Sequence, residues 1–275
     1  MNNTNQTSED FLHLVETTAR QAAKTAGAIA LKYLNESSPQ EKGASNNMVT
    51  RADIEAQQAI ADCIRGTFPE HSFLGEEGDK DAAVEAALKA EHLWVVDPID
   101  GTNNYAQGIP FFCVSIAYLS HGVPRFGLVY DPSREELFCA RKGGGAYLND
   151  KAIRVSQASG IDGAIVATGF AYERGEYVRR TLRTIQALFD HKLRGIRRFG
   201  ACAIDLCWTA AGRLDGYFEL KLEPWDYAAG MLIVAEAGGR VSDAEGESLA
   251  IGAPAVVASA PGMHDALLKI IDEAQ

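Results

Sequence analysis

The apolar run Leu93-Trp94-Val95-Val96 leads without a break into Asp97-Pro98-Ile99-Asp100-Gly101-Thr102. Four consecutive apolar residues read as a buried strand, so the chain places two carboxylates, a tight turn and a hydroxyl at the end of one. Pro98 restricts the backbone and Gly101 permits a conformation closed to other residues, so Asp97 and Asp100 project from a fixed turn. Two further acidic elements lie elsewhere, Glu76-Glu77 and Trp225-Asp226-Tyr227-Ala228-Ala229-Gly230. Were the fold to bring them together, each pair of carboxylates about 4 Å apart would repel by roughly 4 kcal/mol at an effective dielectric of about 20. Such a cluster needs cations.

Bulk properties narrow the alternatives. A chain of 275 residues buries a sizeable core, as one large domain or two intimately packed halves; we expect two, 1–150 and 151–275. No apolar run approaches the roughly 20 residues that span a bilayer. The polar start Met1-Asn2-Asn3-Thr4 is unlike a secretory signal, which gives the expectation of a cytoplasmic protein without a membrane partner. The five cysteines have no CxxC pairing and sit in apolar surroundings, as reduced core residues do. A net charge of −11 disfavours an extended phosphate backbone as partner, so no nucleic acid is expected. The short basic stretch Lys192–Arg198 reads as an edge strand blunted by charge.

Apolar spacing predicts a long helix over Ser8–Leu34, capped by Thr7 with Asp10, and a second over Ala52–Arg65, capped by Thr50 with Asp53 in its first turn. Lys42 falls in the polar connection between them. Strands are expected at Phe73-Leu74, Leu93–Val96, Phe111–Leu119, Arg125–Tyr130 and Leu137–Ala140, a helix over Asp81–Ala90, and hairpin turns at His121-Gly122 and Asn149-Asp150. Beyond residue 150 strands at Ala164–Thr168, Gly195–Phe199, Gly216–Leu220 and Ala255–Ala258 alternate with helices at Glu176–Phe189, Cys202–Ala211 and from Trp225. The first half thus reads as helices on an antiparallel sheet, the second as a layered α/β unit.

Oxygen-only donors select hard cations, magnesium or manganese, which keep coordination sites for a substrate phosphate. Two such ions about 3.5–4 Å apart stabilise the attacking and leaving oxygens of a displacement by water. Gly101–Tyr105 reads as the opening of a helix whose free amides form an anion site beside the metals. Taken singly, each element also has an ordinary explanation: Asp53 as part of a helix cap, Glu76-Glu77 as a solvated acidic turn, Asp100-Gly101 as a turn, Trp225-Asp226 as a helix start.

Taken together and in order, Val49-Thr50-Arg51-Ala52-Asp53, Gly75-Glu76-Glu77, the block at 97–102 and the block at 225–230 resemble the inositol monophosphatase family of lithium-sensitive, magnesium-dependent phosphatases. The resemblance spans nearly the whole chain and implies the layered α-β-α-β-α sandwich, an α+β fold, that this family shares with fructose-1,6-bisphosphatase. It further implies one metal site of Glu76, Asp97 and the carbonyl of Ile99, and another of Asp97, Asp100 and Asp226, with a third, weaker ion near Glu76. Thr102, backed by Asp53 and Glu76, would orient the attacking water, Glu77 would support the site, and the Gly101 and Thr102 amides would hold phosphate. Glu219 and Cys202 fall where family members meet the polyol, and Lys42 on a loop near the entrance. Asn104-Tyr105 resembles the inositol branch more than the nucleotide or histidinol phosphate branches.

The resulting expectation is hydrolysis of a small polyol phosphate, inositol monophosphate first, by a homodimer that uses metal-activated water. Fructose 1,6-bisphosphate, histidinol phosphate and adenosine 3',5'-bisphosphate are the alternative substrates. A regulatory binding protein on the same fold is the non-enzymatic alternative, and the absence of a metal carboxylate, its expected mark, is not seen here.

Overall fold

The computed structural model describes residues 2–34, 40–41, 48–49, 51–77, 84 and 86–274. Helix α1 (Asn2–Tyr33) and helix α2 (Arg51–Thr67) frame a two-residue ladder of β1 (Gln40–Glu41) and β2 (Met48–Val49). Because α1 begins at Asn2, Thr7 lies inside it and is not its cap. Thr50 and Lys42 lie outside the described residues, as does most of the helix expected over 81–90, where a helical turn at 86–87 ends by Leu88.

A seven-stranded sheet follows in the spatial order β3-β4-β5-β6-β7-β8-β9. Its members are β3 (Ser72–Gly75), β4 (His92–Asp100), β5 (Cys113–Ser120), β6 (Val123–Asp131), β7 (Glu136–Arg141), β8 (Gly145–Leu148) and β9 (Lys151–Ala152). Only β3 and β4 pair in parallel; the rest form antiparallel neighbours, joined from β5 onward by short turns. The turns at His121-Gly122 and Asn149-Asp150 are as expected, with φ of 51° and 72°, and of 46° and 62°, the left-handed pairs that suit the twist of two-residue hairpins. Strand β4 does not end at Val96 but continues through Asp100, and a short helix α3 (Thr102–Ala106) follows.

The second sheet has the order β11-β10-β12-β14-β13, from β10 (Ile165–Thr168), β11 (Gly195–Arg197), β12 (Gly216–Glu219), β13 (Arg240–Ser242) and β14 (Val256–Ser259). The basic stretch supplies β11, which is an edge strand as read. Its helices are α4 (Glu176–Asp190), α5 (Cys202–Ala210), α6 (Pro224–Glu236) and α7 (His264–Glu273). Helices α1 and α2 cover one face of the larger sheet, α5 and α6 fill the space between the sheets, and α4 and α7 cover the outside of the smaller one. This is the expected α-β-α-β-α order. All five cysteines are free thiols, buried except for Cys63, which is half-buried. Among the described residues no helix is long and apolar enough to cross a membrane.

Helix α6 is packed closely on two sides. A Cβ on Gly127 of β6 would lie 2.7 Å from the carbonyl oxygen of Ala229, and one on Gly230 would lie 2.7 Å from Leu206 Cδ1 of α5. The small residues Ala228-Ala229-Gly230 therefore let α6 approach the sheet on one side and α5 on the other more closely than side chains allow. Gly127→Ala sets a methyl against main chain that cannot step aside. It is expected to lower the unfolding free energy by about 2 kcal/mol, read as a fall in the urea midpoint at constant slope.

Candidate active site

The last residues of β4 carry the first carboxylates, and their orientation follows from the register. Asp97 pairs with Ser115 and Asp100 with Cys113, so β4 holds one residue more than β5 between these pairs. Without that bulge two residues at an odd separation would point to opposite faces of the sheet. With it, Asp97 and Asp100 share the face that carries Cys113 and Ser115. The Ile99 amide donates to Asp97 Oδ1 at 3.0 Å.

Gly101 closes the strand with φ of 95°, and a Cβ there would meet the Phe111 carbonyl at 2.9 Å. Thr102 Oγ1 lies 3.0 Å from the Ile99 carbonyl and 3.3 Å from Asp53 Oδ1, where its one hydrogen serves either acceptor. Asp53 sits in the first turn of α2 and is fully buried. Glu76 is placed by its amide, which donates to the Val96 carbonyl at 3.1 Å. Gln57 holds the neighbouring peptide with both ends of its amide: Glu77 N donates to Oε1 at 2.9 Å and Nε2 donates to the Glu77 carbonyl at 2.5 Å. Carboxylate oxygens of Asp53, Glu76 and Glu77 lie within 4.8 Å of one another.

Helix starts hold two of the acids in place. Asp100 accepts from the amides of Cys202 at 3.2 Å and Ala203 at 2.6 Å, at the N-terminus of α5. Asp226 Oδ2 accepts from the Glu223 amide at 2.7 Å at the start of α6, and Ser115 Oγ donates to the Trp225 carbonyl at 3.3 Å, tying that helix start to β5. Glu76, Asp100, Asp226 and Glu219 all line one cavity of about 600 Å³. Asp97 lies beneath it, 2% exposed.

Electrostatics confirm the crowding. Burial, then the charges of Glu76, Asp100, Asp226 and Asp53, push the Asp97 carboxyl well above the ordinary carboxylate range. Burial pushes Asp100 up to about 7 against the pull of the two α5 amides. Asp226 rises well above its usual value through burial and the charge of Asp100. Glu219, pushed to about 7 by burial, is steadied by the Tyr217 hydroxyl, which donates to it at 2.5 Å. A side chain on Gly169 would occupy the place of the Glu219 carboxylate.

The donor set is oxygen throughout, buried and mutually repulsive, and the cationic side chains that line the cavity are Arg198 and Lys221 at its rim. These residues fit hard divalent cations. Of the site residues read from the sequence, the structure brings together Asp53, Glu76, Glu77, Asp97, Ile99, Asp100, Gly101, Thr102, Cys202, Glu219 and Asp226, while Lys42 lies outside the described residues. Sequence reasoning missed Gln57, Gly169, Arg198 and Asp205. The one signal available was an acidic residue, Asp205, in the first turn of an otherwise apolar helix.

A layered sandwich with acid groups converging at a strand end and two helix starts defines a class, the inositol monophosphatases. The chain belongs to that family, whose model matches residues 12–275. Nus factor SuhB of Vibrio cholerae is 40% identical over 265 residues, covering 95% of this chain and 97% of the relative. Inositol monophosphatase 2 of Solanum lycopersicum is 39% identical over 260 residues, covering 94% and 97%. The crystal structure of the extragenic suppressor protein suhB from Bartonella henselae superposes with a TM-score of 0.86 at 35% identity, covering 94% of this chain and 98% of that one.

The raised carboxyls set a pH dependence for the cation-free protein. An acid whose folded value lies above its unfolded one costs no stability below the unfolded value and an increasing amount as pH climbs toward the folded value. Asp97→Asn keeps an oxygen for the Ile99 amide and removes one charge from the cluster. In chelator at pH 8 the variant is expected to exceed the parent by on the order of 2 kcal/mol, or about 4–8 °C in Tm. That gap closes toward pH 4, and melting curves across the range check it.

Proposed function

We propose that this chain is a magnesium-dependent phosphomonoesterase that converts a small polyol phosphate, inositol monophosphate first, to the free alcohol and phosphate. The observation that carries the reading is the convergence of Glu76, Asp100 and Asp226 on one cavity with Asp97 buried against them, a mutual repulsion that bound divalent cations would relieve. The 1–150 half supplies most of the acidic groups, and the 151–275 half supplies Asp226 and the rim that meets the alcohol.

Glu76, Asp97 and the Ile99 carbonyl would hold one ion, and Asp97, Asp100 and Asp226 a second, with room for a third beside Asp53, Glu76 and Glu77. Bound magnesium, or manganese in its place, supplies Lewis acidity and makes water a stronger acid. The chain's own residues do the rest. Thr102 donates its one hydrogen to Asp53 or to the Ile99 carbonyl, which leaves its oxygen to accept from and orient the water that attacks phosphorus. The Gly101 and Thr102 amides, at the start of α3, face the phosphate oxygens. Glu219, fixed by Tyr217, accepts a hydroxyl of the leaving alcohol, and Cys202 forms the adjoining wall.

A regulatory role on the same fold is the second reading, favoured by the name Nus factor SuhB that the Vibrio cholerae relative bears. It requires no turnover, whereas the enzymatic reading requires every carboxylate named above.

Phosphate release from inositol, fructose, histidinol and adenosine phosphates, with magnesium present and then chelated, tests the proposal. Release from inositol monophosphate should be fastest and should vanish on chelation; no release from any ester overturns it. Thr102→Ala is expected to lower kcat about 10²–10⁴-fold without unfolding the protein, the range for losing a group that handles a proton in the transition state. Glu219→Gln is expected to change the ranking of substrates more than the magnesium requirement, read as relative kcat/KM across the same panel.

A further inference from the structure

Asp205 is a buried acid that none of these roles uses. It lies in the first turn of α5, is 1% exposed, and its Oδ1 has no hydrogen-bond partner. It nonetheless lines the same cavity as Asp100 and Glu219. Its carboxyl feels both of them and the Arg198 guanidinium, so it sits within their electrostatic reach. A buried polar oxygen without a partner is unfavourable, and folded proteins rarely retain one unless something binds it. The rest of α5 shows what a purely structural position looks like here: Ala203, Ile204, Leu206 and Cys207 are apolar and fully buried.

The chemistry narrows what that partner is. A phosphate is excluded, because Asp205 stands among Asp100 and Glu219 and adds to the negative field. A hydroxyl is neutral and carries both a donor and an acceptor, so it satisfies a carboxyl in either protonation state. Glu219 already takes one hydroxyl in the reading above. We propose that Asp205 is a specificity-determining residue that binds a second hydroxyl of the leaving alcohol, so that the site selects alcohols able to present hydroxyls to Glu219 and Asp205 together. Arg198 at the rim offsets part of the charge of this wall, as it lowers the proton affinity of both acids. Alcohols with a single hydroxyl beyond the ester, or none, leave Asp205 unpaired and forfeit that selection.

This inference rests on the phosphatase reading, and its test separates the two. The specificity ratio, kcat/KM for inositol monophosphate divided by kcat/KM for p-nitrophenyl phosphate, is measured for the parent, Asp205→Asn and Asp205→Ala. The ratio should fall about 10-fold or more in Asp205→Ala, chiefly through KM for the polyol ester, with a smaller fall in Asp205→Asn, which keeps one acceptor and the side-chain volume. An equal loss on both esters, or an unchanged ratio, overturns the proposal and assigns Asp205 to the support of α5. If the parent hydrolyses neither ester, the phosphatase reading fails by itself. Calorimetric binding of free myo-inositol then decides the matter: at least 10-fold weaker binding in Asp205→Ala supports the role, and equal binding, or none in the parent, overturns it.

Discussion

Like charges forced together out of water are the constraint around which this molecule is arranged. Asp97 lies under Glu76, Asp100, Asp226 and Asp53, and each raises the proton affinity of its carboxyl. A cluster of this kind survives folding only because the surrounding layers are stable enough to hold it and because hydrogen-bond donors meet part of its charge. Two amides at the start of α5 meet Asp100, the Ile99 amide meets Asp97, and the Glu223 amide meets Asp226. Helix starts thus serve twice, as structural ends that need acceptors and as clamps that keep carboxylates from turning away.

The clamps depend on how α6 is seated. Its N-terminus delivers Asp226, and its body has no side chains beyond methyl at Ala228, Ala229 and Gly230, where it meets Gly127 of β6 and Leu206 of α5. Close packing against a main-chain surface leaves one position for the helix. That explains why Trp225-Asp226-Tyr227-Ala228-Ala229-Gly230 reads as a single unit: the acid enters the cluster and the small residues behind it fix where the acid stands. Trp225 and Tyr227 contribute at the same point, through the Trp225 carbonyl on Ser115 and the Tyr227 hydroxyl on the loop carbonyls of Ala250 and Ala253.

Much of this arrangement was legible beforehand because it is local. Apolar spacing located α2, α4 and α5 to within a few residues, and paired turn residues located two hairpins. The acidic blocks pointed to one site because their types and order resemble a family, not because spacing alone shows that they meet. What was missed depends on tertiary context or on weak patterns. The apolar residues of α7, Leu267, Leu268, Ile270 and Ile271, run almost consecutively and do not separate helix from strand. Strand β13 is three residues long. Gln57 looks like any polar helix residue until the peptide of Glu77 is seen across its amide, and Gly169 shows its use only once Glu219 stands where a side chain would be. The start of α1 was placed at a capping pattern, Thr7 with Asp10, that the helix runs straight through.

The extra residue in β4 has a genetic consequence. Sheets tolerate substitutions along a strand one side chain at a time, but parity is a property of the whole stretch. An in-frame gain of a single codon in β5 between Cys113 and Ser115 would match the extra residue of β4, restore regular pairing and leave Asp97 and Asp100, three positions apart, on opposite faces. Strand order and hydrophobic layers would survive such an event while the constellation would not, so a lineage could lose the acidic cluster in one step and keep its scaffold.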